Sequence, residues 1–136
     1  MSLQIEEQER EGVRILNMKG RITTGEEAML FRETIQGLAA AGTSRVVLNL
    51  GEVDYIDSTG LGAIVMCSTA VRKAGGQMKL LNLNKRTVEL LVMTKLATIF
   101  EIFTDVQDAV NSFFPDRKIQ KFDILDFVQQ QAKKDQ

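Results

Sequence analysis

The sequence predicts a single α/β domain built around a mixed, mainly parallel β-sheet. The chain has 136 residues, of which 44% are hydrophobic, and these values suit one globular domain with its own core. Apolar strand-like segments alternate with helical segments of about 10–16 residues, the pattern of parallel crossover connections. The first two strand-like segments instead follow one another across Glu11-Gly12, which predicts a hairpin at one edge of the sheet.

Short apolar segments separated by turns give the predicted strands. The segment from Val46 to Leu50 is rich in β-branched residues, as expected of a central strand that is covered on both faces. The other predicted strands are 3–8, 13–18, 78–83 and 99–103.

Four helices are predicted between and after these strands, because apolar residues recur there every three to four positions. Thr24 and Thr104 each stand three residues before Glu or Gln, a spacing that predicts them as the N-caps of the first and fourth helices. Asn84 or Lys85 is expected to open the third helix, and Pro115 to end the fourth. The predicted order is therefore β-β-α-β-α-β-α-β-α.

Residues 116–136 are interpreted as a C-terminal extension of a domain that occupies 1–115. Apolar residues at helical spacing predict a broad amphipathic helix in this extension; they are Phe122, Ile124, Leu125, Phe127, Val128 and Ala132. Such a helix either packs on the domain as its last element or binds in the groove of a partner, which could be a second copy of the chain.

Charge and composition exclude several classes of function. Seventeen Lys and Arg against 18 Asp and Glu leave no basic excess for nucleic acid. No apolar run approaches the roughly 20 residues of a membrane span, and no signal peptide is visible, so we expect a cytoplasmic protein. The chain contains no histidine and one cysteine, Cys67, which removes imidazole-dependent catalysis, most zinc sites and an internal disulfide. No cofactor, metal ion or catalytic residue is expected.

The segment 53–62 carries the strongest functional signal. It links the most apolar strand to the second helix, at the sheet edge where open α/β sheets usually bind ligands. Asp57 or Ser58 is the predicted N-cap, so free helix N–H groups would converge on the Ser58 hydroxyl. Gly60 and Gly62 leave the turn unshielded, so that a macromolecule can approach it. Alternatively, these residues cap the helix and Gly60 permits close packing of helix on sheet.

The six residues Asp57-Ser58-Thr59-Gly60-Leu61-Gly62 closely resemble the phosphorylation-site motif of bacterial anti-sigma-factor antagonists, in the STAS-domain family. The resemblance covers about residues 3–114 and includes the opening strand pair, the Gly75-Gly76 turn and the segment 96–100. It implies that Ser58 is phosphorylated by a partner that is both anti-sigma factor and serine kinase. The unphosphorylated chain would bind that partner and so regulate transcription, and a phosphatase would reverse the modification.

The same resemblance assigns partner binding to all six residues, 57–62, and leaves two alternatives open. The chain could be a scaffold or transporter-associated STAS module that binds proteins without sigma-factor control. In a different class, Ser58 could be a nucleophile with Asp57 as its base. Two departures from the family are visible: the loop 21–25 lacks the acidic residue that relatives often carry, and Lys95 stands where relatives often have glycine.

The remaining chemistry-bearing residues are interpreted as structural. The scattered methionines are expected to fill the core, and Cys67 to be a small half-buried residue. Lys85 and Arg86 are expected at a helix end, where the helix dipole or the solvent suits a cation.

Overall fold

The computed structural model describes the backbone of residues 3–134 and the side chains of residues 3–124 and 126–130. Within this part of the chain, strands and helices follow one another in the predicted order. The strands are β1 Leu3–Arg10, β2 Val13–Ile22, β3 Arg45–Ile56, β4 Gln77–Leu81 and β5 Ile102–Phe103. The helices are α1 Glu26–Ala40, α2 Ser58–Lys73, α3 Lys85–Met93, α4 Val106–Asn111 and α5 Ile124–Lys134. The predicted α/β class is confirmed.

The five strands form one sheet in the order β1-β2-β3-β4-β5. The β1–β2 pair is antiparallel and the three other pairs are parallel, so the sheet is mixed and mainly parallel as predicted. Glu11 and Gly12 join β1 to β2 with φ angles of 53° and 81°. A two-residue turn with positive φ at both positions has a backbone twist that matches the right-handed twist of the flanking strands. The predicted hairpin is therefore confirmed.

Apolar residues cover the two faces of the sheet unequally. Leu16 and Leu48 point to the face that carries α1, α2 and α3, and belong to the main core. Ile15 and Val47 point to the opposite face and belong to a smaller core beneath α4. Because β3 is apolar on both faces, its sequence is a continuous hydrophobic run rather than an alternating one. The expectation of a covered central strand is confirmed.

Two of the predicted helix caps are wrong. The N-cap of α1 is Gly25, with φ 94°, and no side chain caps this helix. Because a positive φ favours glycine, the helix begins one residue after the predicted cap, Thr24. The N-cap of α4 is Asp105, whose carboxylate accepts a hydrogen bond from Asp108 N at 3.1 Å. A carboxylate is a stronger acceptor for helix N–H groups than the Thr104 hydroxyl. Asn84, by contrast, caps α3 by accepting from Thr87 N.

The last strand and the fourth helix are shorter than predicted. Strand β5 is confined to Ile102 and Phe103, which pair with Leu80 and Leu81, whereas residues 97–100 form turns and bends. Helix α4 ends at Asn111, before Pro115 is reached. Pro115 therefore lies in the loop beyond the helix and does not end it.

Lys79 fastens α4 to the sheet and is almost completely buried, with 4% of its surface exposed. Its ammonium donates to the Ser112 carbonyl at 3.2 Å and pairs with Glu101 at 3.0 Å. Partial burial of Glu101 favours its neutral form, but the hydrogen bond from Lys79 and the charges of Lys79 and Lys121 outweigh it and hold the pKa of Glu101 below its ordinary value. Glu101 is therefore a carboxylate that the folded state stabilises.

The C-terminal extension returns to the edge of the sheet and then to the main core. Phe122 N donates a hydrogen bond to the Ile102 carbonyl at 2.8 Å, beside edge strand β5. Ile124 is buried in the main core, against which Phe122 and Phe127 also pack. The predicted stripe residues Leu125 and Ala132 lie outside the described side chains. Within the described residues, no helix is both long and apolar enough to span a membrane.

Cys67 is buried in the main core rather than half-buried as predicted. Burial raises the pKa of its thiol to about 12. At neutral pH it is therefore a neutral thiol, and the thiolate is the reactive form.

Candidate functional site

The candidate site lies where β3 ends and α2 begins, at the carboxyl edge of the parallel strands. Asp57 joins the two elements in an extended conformation and is the N-cap of α2. Its Oδ1 accepts a hydrogen bond from Gly60 N at 2.7 Å, and its Oδ2 accepts one from Thr24 N at 3.2 Å. One carboxylate therefore caps α2 and ties it to the loop that leads into α1.

Ser58 is the first residue of α2 and not its cap. Its side chain is exposed, and within the described residues its hydroxyl has no hydrogen-bond partner. Thr59 beside it is also exposed. The expectation that the helix N–H groups converge on the Ser58 hydroxyl is wrong, because the Asp57 carboxylate already takes the capping position. Ser58 consequently has no structural task and can be reached from solvent.

Gly60 and Leu61 are buried beneath the site and do not line its surface. A Cβ at position 60 would collide with the Ile22 carbonyl group, so only glycine lets α2 approach β2 this closely. Leu61 is 4% exposed and lies in the main core. The prediction that Gly60 and Leu61 face a partner does not agree with this placement.

Gly62 differs from Gly60, because it is exposed and a Cβ there would meet no atom within 4 Å. It lies one helical turn from Ser58, and Met66 lies one turn further on the same line. Met66 is 59% exposed, and Met93 at the end of α3 is 80% exposed. The expectation that methionines fill the core is wrong for these two residues and for Met29 on α1, which is 60% exposed.

A cleft of about 410 Å³ separates the start of α2 from α3. Its residues are Tyr55, Ile56, Asp57, Ser58, Arg86, Glu89, Leu90 and Met93. The cleft thus joins the exposed serine to the apolar side chains of Leu90 and Met93. We call the following residues, which are exposed except for the half-buried Leu90, the Ser58 surface: Ser58, Thr59, Gly62, Met66, Leu90 and Met93.

Two arginines approach the aromatic ring at the edge of this surface. The guanidinium carbons of Arg21 and Arg86 lie 5.7 Å and 5.8 Å from the ring centroid of Tyr55, within the range of a cation–π contact. Sequence reasoning missed this cluster, because the pairing of Arg21 with Tyr55 follows from the β2–β3 register. Arg86 also stands in the first turn of α3, where the dipole opposes a cation. The dipole explanation given for it is therefore wrong.

This arrangement is suited to modification and recognition. Both carboxylate oxygens of Asp57 accept hydrogen bonds from backbone N–H groups, so this side chain already has a structural role. Within the described residues, no cluster of three or more His, Cys, Asp or Glu side chains could hold a metal ion. What the site offers is an exposed hydroxyl beside apolar side chains.

Comparison with known proteins identifies the family of this chain. The family model of the STAS domain matches residues 4–109. The anti-sigma-B factor antagonist of Bacillus subtilis is 34% identical over 102 residues, which cover 75% of this chain and 92% of that protein. The crystal structure of TM1081 from Thermotoga maritima superposes with a TM-score of 0.74 at 26% identity, covering 79% of this chain and 92% of TM1081. The phosphorylated form of Bacillus SpoIIAA shares the fold, with a TM-score of 0.64 at 15% identity over 82% of this chain and 99% of SpoIIAA. This chain belongs to the STAS domain family.

Proposed function

We propose that this chain is an anti-sigma-factor antagonist that is switched by phosphorylation of Ser58. The observation that carries the proposal is that Ser58 is exposed and free of structural contacts in a cleft that also holds Leu90 and Met93, while Asp57 caps the helix in its place. The relationship to the Bacillus subtilis antagonist supports it, because the similarity spans 92% of that protein. A match to nearly the whole of a free-standing antagonist favours this role over that of a module within a transporter.

The unphosphorylated form is the one that binds the anti-sigma factor. The Ser58 surface carries apolar area, because the side chains of Met66 and Met93 are 59% and 80% exposed. Flexible, exposed methionines adapt to an apolar partner surface, and the bare backbone at Gly62 lets a partner helix or loop approach closely. Binding buries this surface, and the partner then releases its sigma factor.

Phosphorylation reverses this state by changing charge rather than fold. A phosphate on Ser58 adds roughly −1.5 to −2 charges at neutral pH. Burying that charge against an apolar partner costs several kcal/mol, and each 1.4 kcal/mol weakens binding about tenfold. Because Ser58 makes no contact that stabilises the helix, the modified chain keeps its structure.

The kinase partner supplies ATP and the transfer chemistry, and a phosphatase restores the hydroxyl. The chain itself is a substrate and a binding protein, not an enzyme. Asp57 supports this view because its two oxygens are held by Gly60 N and Thr24 N at 2.7 and 3.2 Å. In this role the protein works in the bacterial cytoplasm, where sigma factors meet RNA polymerase.

The proposal is tested with the cognate anti-sigma-factor kinase and ATP. Mass spectrometry should place the phosphate on Ser58, and Ser58→Ala should abolish it while Thr59→Ala retains it. Calorimetry should show that Ser58→Ala binds the kinase like the wild type and that Ser58→Asp binds at least about tenfold more weakly. Ser44→Asp is the matched control, because Ser44 is exposed just before β3, at the opposite edge of the sheet. Phosphate on Thr59 alone, or equal binding by Ser58→Asp and wild type, would contradict the proposal.

A further inference from the structure

Two arginines lie at the edge of the Ser58 surface, Arg21 and Arg86. Within the described residues they form no ion pair or hydrogen bond, and each contacts the ring of Tyr55. At 5.7 and 5.8 Å from the ring centroid, these contacts lie at the outer limit of a cation–π interaction. Each guanidinium therefore keeps its fork of N–H donors for another acceptor.

Arg86 is the arginine that shares a cleft with the serine. It lines the cleft of about 410 Å³ together with Ser58, and its position in the first turn of α3 is one at which the helix dipole opposes a cation. The other titratable groups around the cleft are Asp57, Glu89 and Tyr55. Two of these are carboxylates, so Arg86 is the cation of the cleft.

A phosphate on Ser58 would be stabilised by such a cation. The capping position of α2, where an anion would otherwise bind, is held by the Asp57 carboxylate through Gly60 N at 2.7 Å. The phosphate therefore adds its charge beside an existing carboxylate, and like charges repel. A guanidinium matches phosphate geometry by donating two parallel hydrogen bonds, which a lysine cannot do.

We propose that Arg86 binds the phosphate of phosphorylated Ser58 across the cleft, in the same chain. This inference rests on the proposed function, since it concerns the modified form of the same site. The ion pair draws the phosphate toward α3, so that it occupies the cleft lined by Leu90 and Met93. Phosphorylation then removes part of the apolar surface as well as adding charge to it.

The test uses full-length protein in which phosphoserine is incorporated at position 58 during translation, so that no kinase is required. The ³¹P signal of the phosphate is followed from pH 4 to 8, and its second pKa is about 6 in the absence of a partner. Arg86 stabilises the dianion, so this pKa should be at least about half a unit lower in the otherwise unmodified sequence than in Arg86→Gln. Lys85→Gln is the matched control, because Lys85 is the neighbouring cation on α3 but does not line the cleft; it should leave the pKa unchanged.

A second measurement needs no substitution at Arg86. The ¹H–¹⁵N signal of the Arg86 side-chain Nε should shift on phosphorylation of Ser58, and should shift back as the phosphate is protonated. Equal phosphate pKa values in the wild-type background and Arg86→Gln, or an Arg86 signal that phosphorylation leaves in place, would overturn the proposal. Failure of the proposed function would give a different result. The kinase would then leave Ser58 unmodified, while the pKa of the phosphate installed during translation would still depend on Arg86.

Discussion

Replacing Asp57 by alanine should destabilise the protein more than any change to the serine beside it. The Asp57 carboxylate makes two backbone contacts, to Gly60 N at 2.7 Å and to Thr24 N at 3.2 Å. Alanine removes both, so the first turn of α2 loses its cap and the β2–α1 loop loses its tie to that turn. Ser58→Ala removes a hydroxyl with no partner among the described residues.

The expected magnitude follows from these two contacts. Loss of an N-cap costs about 1 kcal/mol, and loss of a second, more exposed hydrogen bond to a charged acceptor costs a further ~1 kcal/mol. For a chain of 136 residues, each kcal/mol lowers the melting temperature by about 3.5 °C. Asp57→Ala should therefore lower it by about 7 °C. Asp57→Asn keeps one acceptor oxygen for the cap, so it should lose about half as much.

Urea unfolding followed by circular dichroism measures these free energies directly. The expected order of destabilisation is Asp57→Ala, then Asp57→Asn, with Ser58→Ala within about 0.5 kcal/mol of the wild type. If Ser58→Ala costs as much as Asp57→Ala, then Ser58 is the residue that caps α2. The separation of structural and signalling roles between the two residues would then be refuted.

Three further predictions concern the scaffold. Gly60→Ala should destabilise the fold by about 3 kcal/mol, because its methyl group would meet the Ile22 carbonyl. Gly62→Ala should instead stabilise α2 by about 0.5–1 kcal/mol, because there is open space around Gly62. Equal effects of the two substitutions in urea unfolding would contradict this. Ile124→Ala should cost about 2 kcal/mol of unfolding free energy, because Ile124 is 6% exposed in the main core; an unchanged urea midpoint would show that α5 does not stabilise the domain. The lowered pKa of Glu101 contributes stability that is present above its ordinary value of 4.5 and is lost as pH falls through the folded-state pKa. The Lys79→Met variant should therefore lose less stability than the wild type on acidification from pH 5 to 3.

The sequence contains enough information for the architecture because its strongest patterns are local. The run Val46–Leu50 and the Glu11-Gly12 turn each specify one element without reference to the rest of the chain. The motif around Ser58 is likewise contiguous in the sequence, and its function stays a prediction. Errors arose where two neighbouring residues compete for one role. At the start of α1, a glycine with φ 94° displaced Thr24 as the cap, and at the start of α4 the Asp105 carboxylate displaced the Thr104 hydroxyl.

The electrostatic surroundings of Ser58 could not be predicted, because they are assembled from distant parts of the chain. Arg21, Tyr55 and Arg86 come from β2, β3 and α3. Their meeting depends on the register that pairs Arg21 with Tyr55 and on the course of the chain from β4 into α3. No periodicity in the sequence encodes either relation. The exposure of Met29, Met66 and Met93 was missed for a similar reason, because the sequence does not show whether the helix face that carries an apolar residue is covered.

The distribution of tasks in the β3–α2 loop explains how a single residue can change the surface without unfolding the protein. Had Ser58 been the N-cap, its phosphorylation would have placed a bulky dianion on the group that holds the first turn of α2 together. Asp57 holds that turn instead, Gly60 fixes the distance of the helix from Ile22, and Leu61 anchors it in the core. Each of these three residues is fixed by backbone contact or burial. The Ser58 side chain is left in solvent, so the proposed phosphorylation would act on whatever binds the surface and not on the fold that presents it.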